Sequence, residues 1–265
     1  PHGAFDGAIA FCLGFGHSSG KMIGFLVMYL LLAGLCALIW SVSPVFALAT
    51  FLGLTIVHFG SGDTEHLFQP GPNLAKRCLK ACQVLVHGGM VTIVLPVFHS
   101  AEVSQLFIIL AGPNAILLMD ALTPALLIWL VAAFIYAAAG LVSRQYGAAA
   151  LELAGLAVLI WLLPPLAGFA VYFCAVHSRR HFTSIWTAMQ LYISRRFILF
   201  SGGILTLTSW AMGVGLYISQ IASGSFSADE AFIRTVFILL AALTVPHMVL
   251  VDTMYRPTLR KITQL

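Results

Sequence analysis

The chain has 265 residues, 60% hydrophobic and only 8% charged, with a net charge of +4 and a mean hydropathy of +1.00. So little charge cannot cover a water-facing surface, which excludes an ordinary soluble domain and makes lipid the main solvent. The basic residues fall in short clusters between apolar stretches and form no extended basic face, which excludes nucleic acid as a partner.

A bilayer-crossing helix needs about 20 mostly apolar residues. The chain opens with a short helix over about 4–15, followed by spans near 21–42, 44–67 and 74–97. A short interfacial helix over 101–111 separates these from spans near 123–143, 148–163, 166–190, 196–220 and 229–255. Pro44, Pro124, Pro164 and Pro165 fall at starts, ends or tight connections, where a missing amide is tolerated. The expected architecture is all-α: a polytopic transmembrane bundle of about eight full spans plus two short helices, forming one integral membrane domain over 1–265. Lys21, the Lys76/Arg77/Lys80 group, Arg144, Arg195/Arg196 and Arg256/Arg260/Lys261 lie at alternate connections. The connections near 41–44, 98–122, 164–166 and 219–229 carry no Lys or Arg, so the basic side and the C-terminus are expected in the cytoplasm.

The five cysteines, Cys12, Cys36, Cys78, Cys82 and Cys174, lie in or beside apolar segments and imply no disulfide framework. Cys78 and Cys82 are one turn apart and read as small packed residues. Gly202-Gly203 and Gly213-Val214-Gly215 read as points of close helix packing.

Nine histidines are many for so apolar a chain. With the spans drawn, His58, His87, His177, His181 and His247 fall in one slab of the membrane. His2 begins a helix of about 13 residues, which at 1.5 Å per residue places it about 20 Å deep, at the same level. His17, His66 and His99 sit at connections. Polar side chains at membrane depth are costly and face a cavity or a partner. His177 and His181 are four residues apart, so their rings leave one helix face about a turn apart, a spacing that suits two ligands of one metal. Alone such a pair is weak; the other histidines at matching depth strengthen it.

Three acids follow histidines at similar offsets: Asp6 after His2, Asp63 after His58 and Asp252 after His247. A ligating imidazole commonly gives its second N–H to a carboxylate, so these acids are candidates for that role. A competing reading pairs them with Arg179 and Arg180. Neutral nitrogen ligands without thiolates suit iron, zinc, copper or nickel. Tyr172, Phe173, Phe182, Trp186, Tyr192, Trp210 and Tyr217 are placed to line an apolar channel for a long, flat lipid, or to serve as ordinary packing and belt residues. Pro246 precedes His247 within a span, a break of the kind that borders a site. These features leave open a metal or proton transporter, a di-iron membrane desaturase and a haem-binding electron carrier beside a mononuclear oxygenase.

The ordered motifs Pro1-His2-Gly3-Ala4-Phe5-Asp6, His58-Phe59-Gly60-Ser61-Gly62-Asp63, His87-Gly88-Gly89, His177-Ser178-Arg179-Arg180-His181 and Pro246-His247 resemble those of the Brp/Blh family. These are bacterial and archaeal membrane β-carotene 15,15′-dioxygenases, and the resemblance runs over essentially the whole chain. It implies oxidative cleavage of the central double bond of β-carotene by O₂ to two retinal molecules, with Fe(II) as cofactor. Carried residue by residue, it assigns His2, His58, His177 and His181 as iron ligands, and His87 and His247 as further site residues; Asp6 matches the acid after the first histidine. It also implies a prokaryotic inner-membrane location and a functional link to a retinal-binding microbial rhodopsin.

Overall fold

The computed structural model describes residues 3–67 and 73–255. His2 and the basic cluster Arg256/Arg260/Lys261 therefore lie outside the described residues. The secondary structure is all helical. In chain order the helices are α1 (Asp6–Cys12), α2 (Ser19–Val42), α3 (Pro44–Asp63), α4 (Leu74–Gly89), α5 (Leu95–Phe98), α6 (Ser100–Ala111), α7 (Leu117–Val142), α8 (Arg144–Leu162), α9 (Pro165–Val171), α10 (Arg179–Met189), α11 (Arg195–Ala222) and α12 (Ala228–Met248). Three π-helical segments interrupt this pattern: Met90–Val94, Tyr172–Ser178 and Val249–Tyr255.

Among the described residues, six helices are long and apolar enough to cross a membrane: Ser19–Val42, Pro44–Asp63, Leu74–Phe98, Pro113–Val142, Arg195–Ala222 and Ala228–Asp252. The stretch near 148–163 is helical, but its apolar run, Tyr146–Leu162, belongs to the shorter class. The stretch near 166–190 is split into α9, a π segment and α10, and Arg179 and Arg180 interrupt its apolar character. Pro44 and Pro165 each open a helix as expected. Pro124 does not: α7 starts seven residues earlier, at Leu117, and carries the proline inside it. Large side chains on the outside of these helices, such as Leu31, Leu127, Phe134, Leu207 and Trp210, are exposed, as a lipid solvent allows.

The chain divides into two compact units. One combines the residues up to Ala47 with those from Thr183 onward; the other is Leu48–Phe182. In the first, α2 and α11 pack on α12, and α1 packs on α11. Its core joins Ala8, Ile9 and Ala10 of α1 to Phe25, Ile185, Met189, Ile198, Leu250 and Val251. Asp6, Ala8, Ile9 and Ala10 are buried while Phe11 is exposed, so that a seven-residue helix too short to be stable alone is held by its surroundings over most of its circumference. At Gly7 an added Cβ would stand 2.7 Å from Ser201 Oγ, so a side chain there would push α1 off α11.

In the second unit α4 packs on α7, and α7 on α8. Helices α3 and α4 cross backbone to backbone: a Cβ on Gly60 would strike the Val84 carbonyl, and one on Gly88 the Ile56 carbonyl. The two contacts are reciprocal and one turn apart, which fixes the depth and rotation of α3 against α4. Gly140 and Gly147 play the same part between α7 and α8, with a Gly140 Cβ only 3.2 Å from Gly147 Cα. The close packing expected at Gly202-Gly203 and Gly213-Val214-Gly215 is present only in part. Gly202 and Gly213 meet neighbours, whereas Gly203 and Gly215 face open space.

Candidate metal centre

The second unit gathers three of the expected histidines. His58 lies five residues before Asp63 on the last turns of α3. His177 lies in the π segment that continues α9, and His181 in the first turn of α10. A π segment adds a residue to the helical turn and frequently marks a functional site. Here the His177 and His181 rings are almost parallel, 4° apart with centroids at 6.2 Å. The His58 ring lies 5.2 Å from that of His177 and 6.4 Å from that of His181. The Nε2 atom of each of the three is buried.

Asp63 holds this group in order. Its Oδ1 accepts from His177 Nδ1 at 2.9 Å, and its Oδ2 accepts from the Tyr172 hydroxyl at 2.6 Å. His58, Asp63, Tyr172 and His177 are each at most 2% exposed. A carboxylate has no proton to donate, so Asp63 fixes an N–H on His177 Nδ1. Phe59, with its ring centroid 4.2 Å from that of His177, and Phe173 at 6.0 Å wall the imidazole with apolar surface.

The charges beside this group are paired in a way the sequence reading did not foresee. Arg180 donates through Nη2 to both carboxylate oxygens of Glu152 on α8, at 2.6 Å and 2.5 Å, and through Nη1 to the Asp63 backbone carbonyl at 3.4 Å. Arg179 donates to the Ala175 carbonyl and is exposed. The carboxylate of Asp63 thus goes to His177 and Tyr172, while Glu152 takes Arg180. Glu152 was legible only as the single charge in the apolar run Tyr146–Leu162.

The first unit repeats the carboxylate arrangement. Asp6, at the start of α1, accepts from His247 Nδ1 through Oδ1 at 2.7 Å and from the Tyr29 hydroxyl through Oδ2 at 2.8 Å. Asp6 and His247 are fully buried, as is His247 Nε2. Gly3, with a φ of +82°, lies just before this group, and a Cβ there would sit 3.1 Å from Asp6 Oδ2. Both acids therefore orient histidines as expected, across long stretches of chain: Asp63 serves His177 and Asp6 serves His247. Asp252 lies in the π segment after His247, with its Oδ1 buried.

The remaining expected residues are spread more widely. His87 is buried on α4 with Nε2 3.3 Å from the Tyr136 hydroxyl, beside Trp129, whose indole donates to the Val86 carbonyl. Phe173 stacks on Phe169, and Trp186 meets Phe5. Tyr172 is buried and spends its hydroxyl on Asp63. Phe182, Tyr192 and Trp210 are exposed, and Tyr217 is half-buried. Among the described residues, no group of three or more His, Cys, Asp or Glu side chains closes to a metal-holding cluster.

Fold and site together define a class: an α-helical membrane protein whose buried histidines are oriented by carboxylates. Within that class the chain belongs to the β-carotene 15,15′-dioxygenase family, whose model matches residues 1–255. It is 42% identical over 261 residues to the β-carotene 15,15′-dioxygenase of uncultured marine bacterium 66A03, covering 97% of this chain and 90% of that protein. It is 27% identical over 254 residues to the probable β-carotene 15,15′-dioxygenase Blh of Halobacterium salinarum, covering 87% of this chain and 73% of that protein. No solved structure matches the chain.

Proposed function

We propose that this protein cleaves the central double bond of β-carotene with O₂. The bond between C15 and C15′ breaks, two C=O bonds form, and the two atoms of one O₂ molecule end in two molecules of retinal. Membership of the family, over nearly the whole chain, is the observation that carries this reading. The clustered imidazoles of His58, His177 and His181 support it with the chemistry an oxygenase needs.

The proposed cofactor is ferrous iron, with His2, His58, His177 and His181 as its ligands. Of these, His58, His177 and His181 offer imidazoles with buried Nε2 atoms, a donor type that fits iron, and Asp63 holds the His177 ring by Nδ1. Iron bound there supplies a redox-active centre for O₂ chemistry. The protein's own contribution is to orient and to exclude. Asp63 holds the His177 ring by Nδ1, and Tyr172 holds Asp63 by its second oxygen. Phe59 and Phe173 keep water from the imidazole. His247, clamped by Asp6, and His87, bonded to Tyr136, are the supporting histidines of the proposal. The proposal assigns Tyr172, Phe173, Phe182, Trp186, Tyr192, Trp210 and Tyr217 to a tunnel for a polyene that partitions into the bilayer.

The same reading includes eight membrane crossings in one domain, a cytoplasmic C-terminus and a prokaryotic inner-membrane location. It also includes delivery of retinal to a rhodopsin of the same cell. Expression in β-carotene-producing bacteria followed by chromatography of the extracted pigment tests the activity. Loss of carotene with appearance of retinal is the expected result; unchanged carotene overturns it.

A further inference from the structure

We infer that Glu152 is a positioning residue for His177: by holding Arg180 it keeps that guanidinium from taking the Asp63 carboxylate away from the imidazole. The inference rests on the dioxygenase reading for its functional meaning, but its geometry is independent of it.

Glu152 is the single charge in the apolar run Tyr146–Leu162. An ionised group among apolar residues of a membrane helix is costly and needs a specific partner. The partner is Arg180, whose Nη2 donates to both carboxylate oxygens. With Nη2 on Glu152 and Nη1 on the Asp63 carbonyl, the guanidinium is held at two nitrogens, which fixes its plane as well as its position. Arg180 already reaches the end of α3, where it donates to the backbone carbonyl of Asp63. It also lies three residues after His177 and directly before His181. One residue thus receives both contacts: the Asp63 carboxylate holds His177 and Tyr172, and its carbonyl holds Arg180.

The competition this arrangement avoids is clear from charge. Without Glu152, the guanidinium keeps its full positive charge in a half-buried setting beside Asp63, to whose backbone carbonyl it already donates. A charge-assisted bond from Arg180 to Asp63 would replace the bond from His177, and with it the constraint that keeps the proton on Nδ1. Removing the arginine as well removes the competitor, so the double variant should behave better than the Glu152 variant alone. An ion pair that merely braced α8 would give the opposite order, with no recovery in the double variant.

The test uses the full chain in lipid nanodiscs as wild type, E152Q, R180Q and E152Q/R180Q, with ¹⁵N-labelled histidine. The ring-nitrogen resonances of His177, assigned with H177Q, report its tautomer without needing a metal or turnover. Ferrous-ion affinity by chelator competition and helical content by circular dichroism are measured on the same samples. The expectation is that E152Q loses the uniform Nδ1–H signature and binds ferrous ion roughly tenfold or more weakly at unchanged helical content. E152Q/R180Q should recover both. An E152Q protein with the wild-type His177 signature overturns the inference, as does a double variant no better than E152Q. If E152Q does not fold, E152D carries the test: it keeps the charge but shortens the reach, so a partial loss of the signature is expected, and a wild-type signature overturns the proposal. A wild-type protein that binds no ferrous ion yet shows the tautomer effect would overturn the iron reading and leave the positioning role of Glu152 standing.

Discussion

The two units of this protein each contain a tyrosine, an aspartate and a histidine joined in the same way. In the unit from Leu48 to Phe182, Asp63 takes His177 Nδ1 on one oxygen and the Tyr172 hydroxyl on the other. In the other unit Asp6 does the same with His247 and Tyr29. The surroundings differ. The Asp63 clamp has His58 and His181 within ring-contact distance of His177, two phenylalanines against that imidazole, and an Arg180–Glu152 pair alongside. The Asp6 clamp sits against the small, tightly packed α1, with Gly3 leaving room for the carboxylate. One device for setting a histidine tautomer is thus placed once in a cluster of histidines and once in a packed core. In the proposed function the first carries two of the proposed ligands beside His177, and His247 of the second is a second-tier residue.

Substitutions can break or sharpen that contrast. The largest effect is expected at His177 itself: H177A should abolish retinal formation and lower bound iron in the purified protein. Normal iron with retained activity would remove His177 from the ligand set. Next, D63N keeps the size of the side chain but offers an amide in place of a carboxylate. It should weaken ferrous-ion binding by about 10- to 100-fold, measured by chelator competition. D6N makes the same change in the other clamp. Its expected cost in iron affinity is smaller, within about threefold, because the proposal gives His247 a supporting role rather than a ligand's. Equal losses in D6N and D63N would erase that distinction, and would promote His247 to a ligand. The smallest effects belong to the tyrosines. Y172F and Y29F each remove one hydrogen bond to a buried carboxylate, worth about 1.5–3 kcal/mol of stability in thermal or denaturant unfolding. The two variants should fall together in stability, while only Y172F should also alter iron affinity.

Much of the site could be read from residue types and depth. The pair His177/His181, the companion His58 and the importance of Asp6 and Asp63 all follow from polar groups that lipid would otherwise penalise. The pairing within the site could not be read. Asp63 follows His58 by five residues, yet its carboxylate goes to a histidine 114 residues away, and that of Asp6 to one 241 residues away. Glu152 escaped notice because a lone charge in a short apolar helix shows neither its partner nor its purpose. The π segment at Tyr172–Ser178 also leaves no mark in the pattern of apolar residues, although it sets how the rings of His177 and His181 face each other.

Composition and hydropathy were enough to establish lipid as the solvent and helix as the fold. Those properties depend on the transfer of each residue from water and on the local period of a helix, which neighbours in the chain already express. Which carboxylate meets which imidazole was decided only by the packed structure. That choice depends on the rotation and depth of each helix against the next, set by contacts as close as Gly60 against Val84 and Gly88 against Ile56 between residues far apart along the chain.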